Sequence, residues 1–272
     1  MKKVRVEAST KKDRTSEIFG NPMSKKVIRK AQKSKQKNQK KYGDDSKVNY
    51  QCIIRDNSCI GGPLGVKNVV VTRKEGKGSF DEEKGVIVGN IRMGFGHYRI
   101  SMAIASAAHA LGYTPYWMDL NSYPETTCTK LISAQNELYS LGSRISQKSK
   151  LFNKFVWEPV NYEGFRQLSY NAADQKNAEL MAPVYHSVPK DIPVIATHVW
   201  PAQAAVHAGM KHVVNAIPDN WPMALHYAQG SLHTVQTHYA YQGYRIGNGM
   251  MKDKVVQAMP PQDLMYTGHY ID

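Results

Sequence analysis

The amino-acid sequence predicts an α/β protein built on a doubly wound parallel sheet with helices on both faces. Three observations carry that expectation. Strand-like and helix-like stretches alternate from Gly85 to the end of the chain. The strand-like stretches GVIVGN (85–90) and IPVIAT (192–197) are short and almost wholly apolar, the pattern of strands covered on both faces rather than one. Glycine or polar residues then follow each strand, just where a helix would start.

Taken in order, residues 1–50 come first and are set apart by charge. They hold 16 Lys and Arg against 5 Asp and Glu, so +11 of the formal +14 lies here and the other 222 residues are near neutral. The run SKKVIRKAQKSKQKNQKKYG (24–43) has almost no apolar periodicity, which predicts a disordered tail or a fraying helix. Such a tail suits an anionic membrane surface. It holds almost no aromatics on which bases could stack, which disfavours nucleic acid as the partner.

Residues 51–84 read as a transition segment with a strand or hairpin, NVVVT (68–72) being its strand. A Rossmann-like domain is expected over 85–272. Its first unit is βαβ: GVIVGN, then a helix from about Tyr98 stopped by Gly112, then PYWMDL (115–120). A long helical region over roughly 125–185 follows in two or three pieces. IPVIAT, HVVNAIPD (212–219) and LHTVQT (232–237) read as strands. PAQAAVHAG (201–209) and MALHYAQG (223–230) read as helices, the first with proline in its opening turn.

No run of about 18 apolar residues spans a bilayer. The opening MKKVRVEAST lacks the apolar stretch of a secretory signal, and Cys52, Cys59 and Cys128 are too scattered for a disulfide framework. A cytoplasmic protein, peripheral at the membrane, is expected.

The candidate site gathers at the strand ends. In MGFGHYR (93–99), Gly94 and Gly96 allow a tight loop and close approach of a ligand to the main chain. His97 follows at a helix N-terminus, where a neutral imidazole can take a proton from a hydroxyl. A histidine that caps the helix or packs in the loop is the competing reading. GNIRMGFG departs from the GxGxxG dinucleotide fingerprint, and Asp119 alone does not restore it.

Thr197 and His198 end the second strand. Asp219 ends the third, with Trp221 and Pro222 in the turn and His226 beyond; Asp219 could equally cap a helix. Gln236 ends the fourth. The histidines 198, 207, 212, 226, 233 and 238 show no HxxxH spacing with a nearby carboxylate, so no metal site is expected.

In order and spacing, MGFGHYRISMAIASAAHALG, ATHVWPAQAAVHAG, VVNAIPDNWPMALH and YTGHYID resemble the N-terminal half of GT-B glycosyltransferases. The diacylglycerol type (monogalactosyldiacylglycerol synthase) is nearest and the MurG type more distant. The resemblance covers about residues 85–272. It implies an acceptor-binding domain in which His97 assists the acceptor hydroxyl and Asp219 matches the acid of the third motif, giving catalytic roles to both. Gly94, Gly96, Thr197, His198, Trp221, His226 and Gln236 would bind substrate. It also implies hexosyl transfer from a nucleotide sugar to a lipid or sugar acceptor, with no cofactor. The donor would sit on a second half outside these residues, on a separate chain. A non-catalytic sugar- or lipid-binding module and a tail-driven nucleic-acid-binding protein are the competing functions.

Overall fold

The computed structural model describes residues 13–270 except 75, 77, 248 and 253. A short hairpin, β1 (Glu17–Ile18) and β2 (Asn21–Pro22), opens the described chain. Its two turn residues, Phe19 and Gly20, both take positive φ, 46° and 81°, the geometry of a tight hairpin turn. Phenylalanine is an unusual choice there. Its ring is held by edge-on packing on Tyr227, with centroids 5.0 Å apart.

Helix α1 (Lys25–Tyr42) corrects the expectation of a disordered basic tail; residues 1–12 of that segment lie outside the described residues. The Ser24 hydroxyl caps it by accepting the Val27 N–H. The inner face pairs a few apolar residues, Val27, Ile28 and the buried Ala31, with polar ones. Ser34 and Asn38 bond Asn177, and Lys35 pairs with Glu179 at 2.6 Å. Eight cations (Lys25, Lys26, Arg29, Lys30, Lys33, Lys37, Lys40 and Lys41) remain exposed on the other side.

The expected boundary at residue 85 also shifts. Strands β3 (Gln51–Asp56) and β4 (Lys67–Thr72), with the short α2 (Gly61–Leu64) between them, form an antiparallel pair. They belong to the same sheet as β5 (Gly85–Asn90) and β6 (Thr114–Asp119), because β4 joins β6 in parallel. Between β5 and β6 runs α3 (Phe95–Ala110). At its end Gly112 takes φ 80°, and the Gly112 and Tyr113 N–H groups bond the carbonyls of His109 and Ala108, a Schellman stop.

The helical region then comprises α4 (Thr127–Lys148), α5 (Lys150–Phe152), two π-helical turns at Asn153–Trp157 and Val160–Gly164, and α6 (Leu168–Ala178). The rest alternates: β7 (Val194–Ala196), α7 (Val199–His207), β8 (Val213–Ala216), β9 (Leu232–Val235), α8 (His238–Ile246) and β10 (Leu264–Tyr266). The helix expected over 223–230 is a single 3-10 turn at Ala224–His226.

The eight strands lie in the order β10-β9-β8-β7-β5-β6-β4-β3, and only β3 is antiparallel to its neighbour. Alternate residues of β5 face opposite layers. Val88 packs with Ala105 and Trp117 under α3, while Ile87 joins the large core beneath α7. The protein is thus α/β with a mostly parallel sheet covered on both faces. From β5 the chain goes outward to β6 and then returns to β7 on the other side of β5. That reversal makes the carboxyl ends of β5 and β7 the switch point of the sheet, the usual place for a ligand in such folds.

Candidate functional site

Seven of the nine expected residues gather beyond these strand ends. Gly94 precedes α3 with φ 77° and ψ −179°, a backbone region that glycine alone adopts readily. Gly96 lies inside the first helical turn and has no such need, so only half of the backbone expectation holds. A Cβ at either position would meet nothing within 4 Å. No side chain caps α3 and no acidic residue sits in its first turn, so its leading N–H groups face an open loop. Phe95, at the tip, is 85% exposed.

His97 crosses from α3 to the loop after β7, where its Nδ1–H donates to the Thr197 carbonyl at 2.6 Å. That bond fixes the tautomer and leaves Nε2 as the proton acceptor. Thr197 is fully buried, and its hydroxyl bonds the Ser101 hydroxyl at 2.8 Å. It therefore holds His97 and α3 in place and has no surface of its own for a substrate. Burial pushes the His97 imidazole below its ordinary value, against the opposing pull of the Thr197 carbonyl and the Asp219 carboxylate.

His198 lies beside His97, with the two rings 4.9 Å apart and nearly perpendicular. Its Nδ1 accepts the Trp200 N–H and caps α7. Burial holds it well below the usual imidazole range, so it stays neutral with its proton on Nε2.

Asp219 sits in the loop after β8. Its carboxylate accepts from His226 Nε2 at 3.1 Å, and His226 Nδ1 bonds the Tyr244 hydroxyl at 2.7 Å. The Asp219 side chain is 56% exposed while that of His226 is buried, so the carboxylate meets solvent on an anchored imidazole. The His226 bond holds its pKa below the normal carboxylate value. Asp219 does not cap a helix.

Two expected residues lie apart. Trp221 is 41% exposed, flanked by Tyr162 and Tyr239, and borders a separate hollow of about 230 Å³ with Arg166. Gln236 is occupied internally. Its amide donates to the Pro218 carbonyl and accepts the Tyr270 N–H, tying the closing segment to the sheet.

Reasoning from sequence missed Ser101 and Tyr244, which each lie nearly two turns into their helices and carry no local signal. It also missed Asn90, the last residue of β5, which is wholly buried with no protein partner for either amide atom. Among the described residues no group of three or more His, Cys, Asp or Glu is placed to hold a metal ion, and no helix is long and apolar enough to cross a membrane.

No curated protein and no solved structure matches the chain. A protein-family model described as a domain of unknown function does, over residues 17–246. That span takes in α1, the glycine loop and the Asp219–His226 pair together, and the chain belongs to that family, DUF6937.

Proposed function

We propose that this protein is the acceptor-binding half of a GT-B-type glycosyltransferase, with His97 as the base that activates an acceptor hydroxyl. The observation that carries the reading is the bond from His97 Nδ1 to the Thr197 carbonyl, which leaves a neutral, oriented Nε2 at the switch point of the sheet. In this mechanism the acceptor O–H gives its proton to Nε2 as its oxygen bonds the anomeric carbon of a nucleotide sugar. The bond from that carbon to the nucleotide diphosphate breaks, and the electron pair leaves with the diphosphate. His198 offers its Nε2–H to the acceptor oxygen, and Asp219 stabilises the imidazolium through space. The donor is held by a second Rossmann-like half.

The exposed cations of α1 support an anionic membrane surface as the place where a lipid acceptor is met. A rigid row of eight charges presents them together, without the entropy of ordering a tail at each encounter.

The test is hexosyl transfer from radiolabelled nucleotide sugars, with this chain and its partner half present. His97→Ala should lower kcat/KM by about 10²-fold or more. Transfer that survives the substitution undiminished removes His97 from the mechanism. Absence of transfer from every nucleotide sugar removes the glycosyltransferase reading altogether.

A further inference from the structure

A second cavity, of about 350 Å³, opens where β4 parts from β6. The two strands pair only through Lys67–Tyr116 and Asn68–Trp117 and then diverge. On one side stand Tyr98 and Trp117, ring centroids 5.1 Å apart and edge to face. On the other, Arg92 Nε donates to Asp119 at 2.6 Å and its Nη2 to Ser122 at 2.6 Å, while Asn57 and Asn68 bond each other at the rim. Amides, a hydroxyl, a guanidinium and a carboxylate thus ring a space bordered by aromatic surface.

We infer that this fork is a binding site for a neutral polyhydroxylated ring, the hexose moiety of an acceptor. The size, near the low end of ligand pockets at about 300–1,000 Å³, suits one ring rather than an extended chain. Aromatic surface beside planar hydrogen-bonding groups suits a molecule with an apolar C–H face and a rim of hydroxyls. Charge decides between neutral and phosphorylated rings: the Arg92 cation is already matched by Asp119, so the site holds no surplus positive charge for a phosphate.

Position ties the fork to His97. Asn90 pairs with Asp119 across β5 and β6, and the Thr197 N–H bonds the Gly89 carbonyl. Strand alternation puts Asp119, Asn90 and Thr197 on the α3 side of the sheet, in a row two strand spacings wide, about 10 Å. The unpartnered amide of Asn90 lies at its middle. Tyr98, which borders the fork, follows His97 directly on α3. A ring in the fork therefore lies within the reach of a one- or two-ring acceptor from the His97 imidazole. The use of the ring as an acceptor rests on the proposed transfer; its binding does not.

Saturation-transfer NMR and calorimetry with methyl glucoside, galactoside and mannoside, and with the corresponding hexose 6-phosphates, test the site on the full chain without any donor. Saturable binding of at least one neutral hexoside is expected, weakened about tenfold or more by Arg92→Ala and by Tyr98→Leu and unchanged by Trp221→Ala. Because Arg92→Ala strands a buried carboxylate, Tyr98→Leu serves if the first variant does not fold. No saturation by any hexoside at tens of millimolar, or binding indifferent to both variants, overturns the inference, as does a phosphate that binds ten times tighter. Binding with no transfer would leave the fork standing and remove the transferase; transfer whose acceptor KM ignores Tyr98→Leu would do the reverse.

Discussion

Alanine at the two loop glycines should move stability in opposite directions. A Cβ at either position meets nothing within 4 Å, so the backbone alone decides the sign. At Gly94 the conformation, φ 77° and ψ −179°, lies where alanine is strained by about 1–3 kcal/mol. For a protein of this size each kcal/mol is worth roughly 2–4 °C, so Gly94→Ala should lower Tm by roughly 2–12 °C. At Gly96 the backbone is helical, and alanine is favoured by about 0.5–1 kcal/mol in a helix interior, somewhat less in a first turn. Gly96→Ala should leave Tm unchanged or raise it by a few degrees, while its methyl group enters the open space before the helix and weakens ligand binding. Calorimetry measures the first effect. Long-range ¹⁵N NMR of the His97 imidazole adds a second, because strain at Gly94 that shifts the first turn breaks the Nδ1–H bond to Thr197 and scrambles the tautomer. Equal destabilisation by both substitutions would refute the assignment of strain to Gly94.

Asp219 raises the His97 pKa through space, so Asp219→Asn should lower it further. Only the neutral ring accepts a proton, so the rising limb of the pH–rate profile moves to lower pH and its plateau falls; a limb that stays or climbs contradicts the coupling. Asp174 is buried against the Trp200 indole N–H, and burial raises its pKa to about 7. The folded state keeps this proton where the unfolded state has lost it, so stability drains as pH rises from about 4 to 7. Asp174→Asn keeps the indole bond and should stabilise at pH 8 by up to about 4 kcal/mol, with little effect at pH 4, as denaturation at the two pH values will show. Replacing the exposed lysines of α1 by glutamine should abolish sedimentation with anionic vesicles, at about 1 kcal/mol per charge and with loss in high salt. Equal binding to neutral vesicles, or retention of nucleic acid instead, would count against a membrane partner.

The parallel core was legible because its strands are short apolar runs and Gly112 marks the end of α3. His97, His198, Asp219 and His226 were legible for a topological reason: in a parallel sheet every carboxyl end opens toward the same side, so polar residues just past several strands must converge. What failed was pairing and polarity. α1 packs largely through Ser34, Lys35 and Asn38, which a search for apolar periodicity reads as solvated. The place of β4 beside β6 depends on a register set by two residue pairs far apart in sequence. Gln236 stands at a strand end like the others, yet its amide is satisfied by Pro218 and Tyr270, a fact of tertiary structure alone.

Of the two competing views of His97, the cap on its own helix is the one its bonds exclude. No side chain caps α3, so the imidazole does nothing for its own helix. It reaches instead across the reversal of the sheet to the loop after β7. A tie of that kind needs a single donor, which asparagine or glutamine supplies without the burden of a titrating ring. The second nitrogen is surplus to the tie, and so are the neighbouring His198, the exposed carboxylate held by His226, and the buried amide of Asn90 left without a protein partner. His198 also caps α7, whereas the buried, unpartnered amide of Asn90 costs folding free energy. A proton acceptor, a donor and a carboxylate gathered beyond neighbouring strand ends are what an alcohol needs to be held and deprotonated.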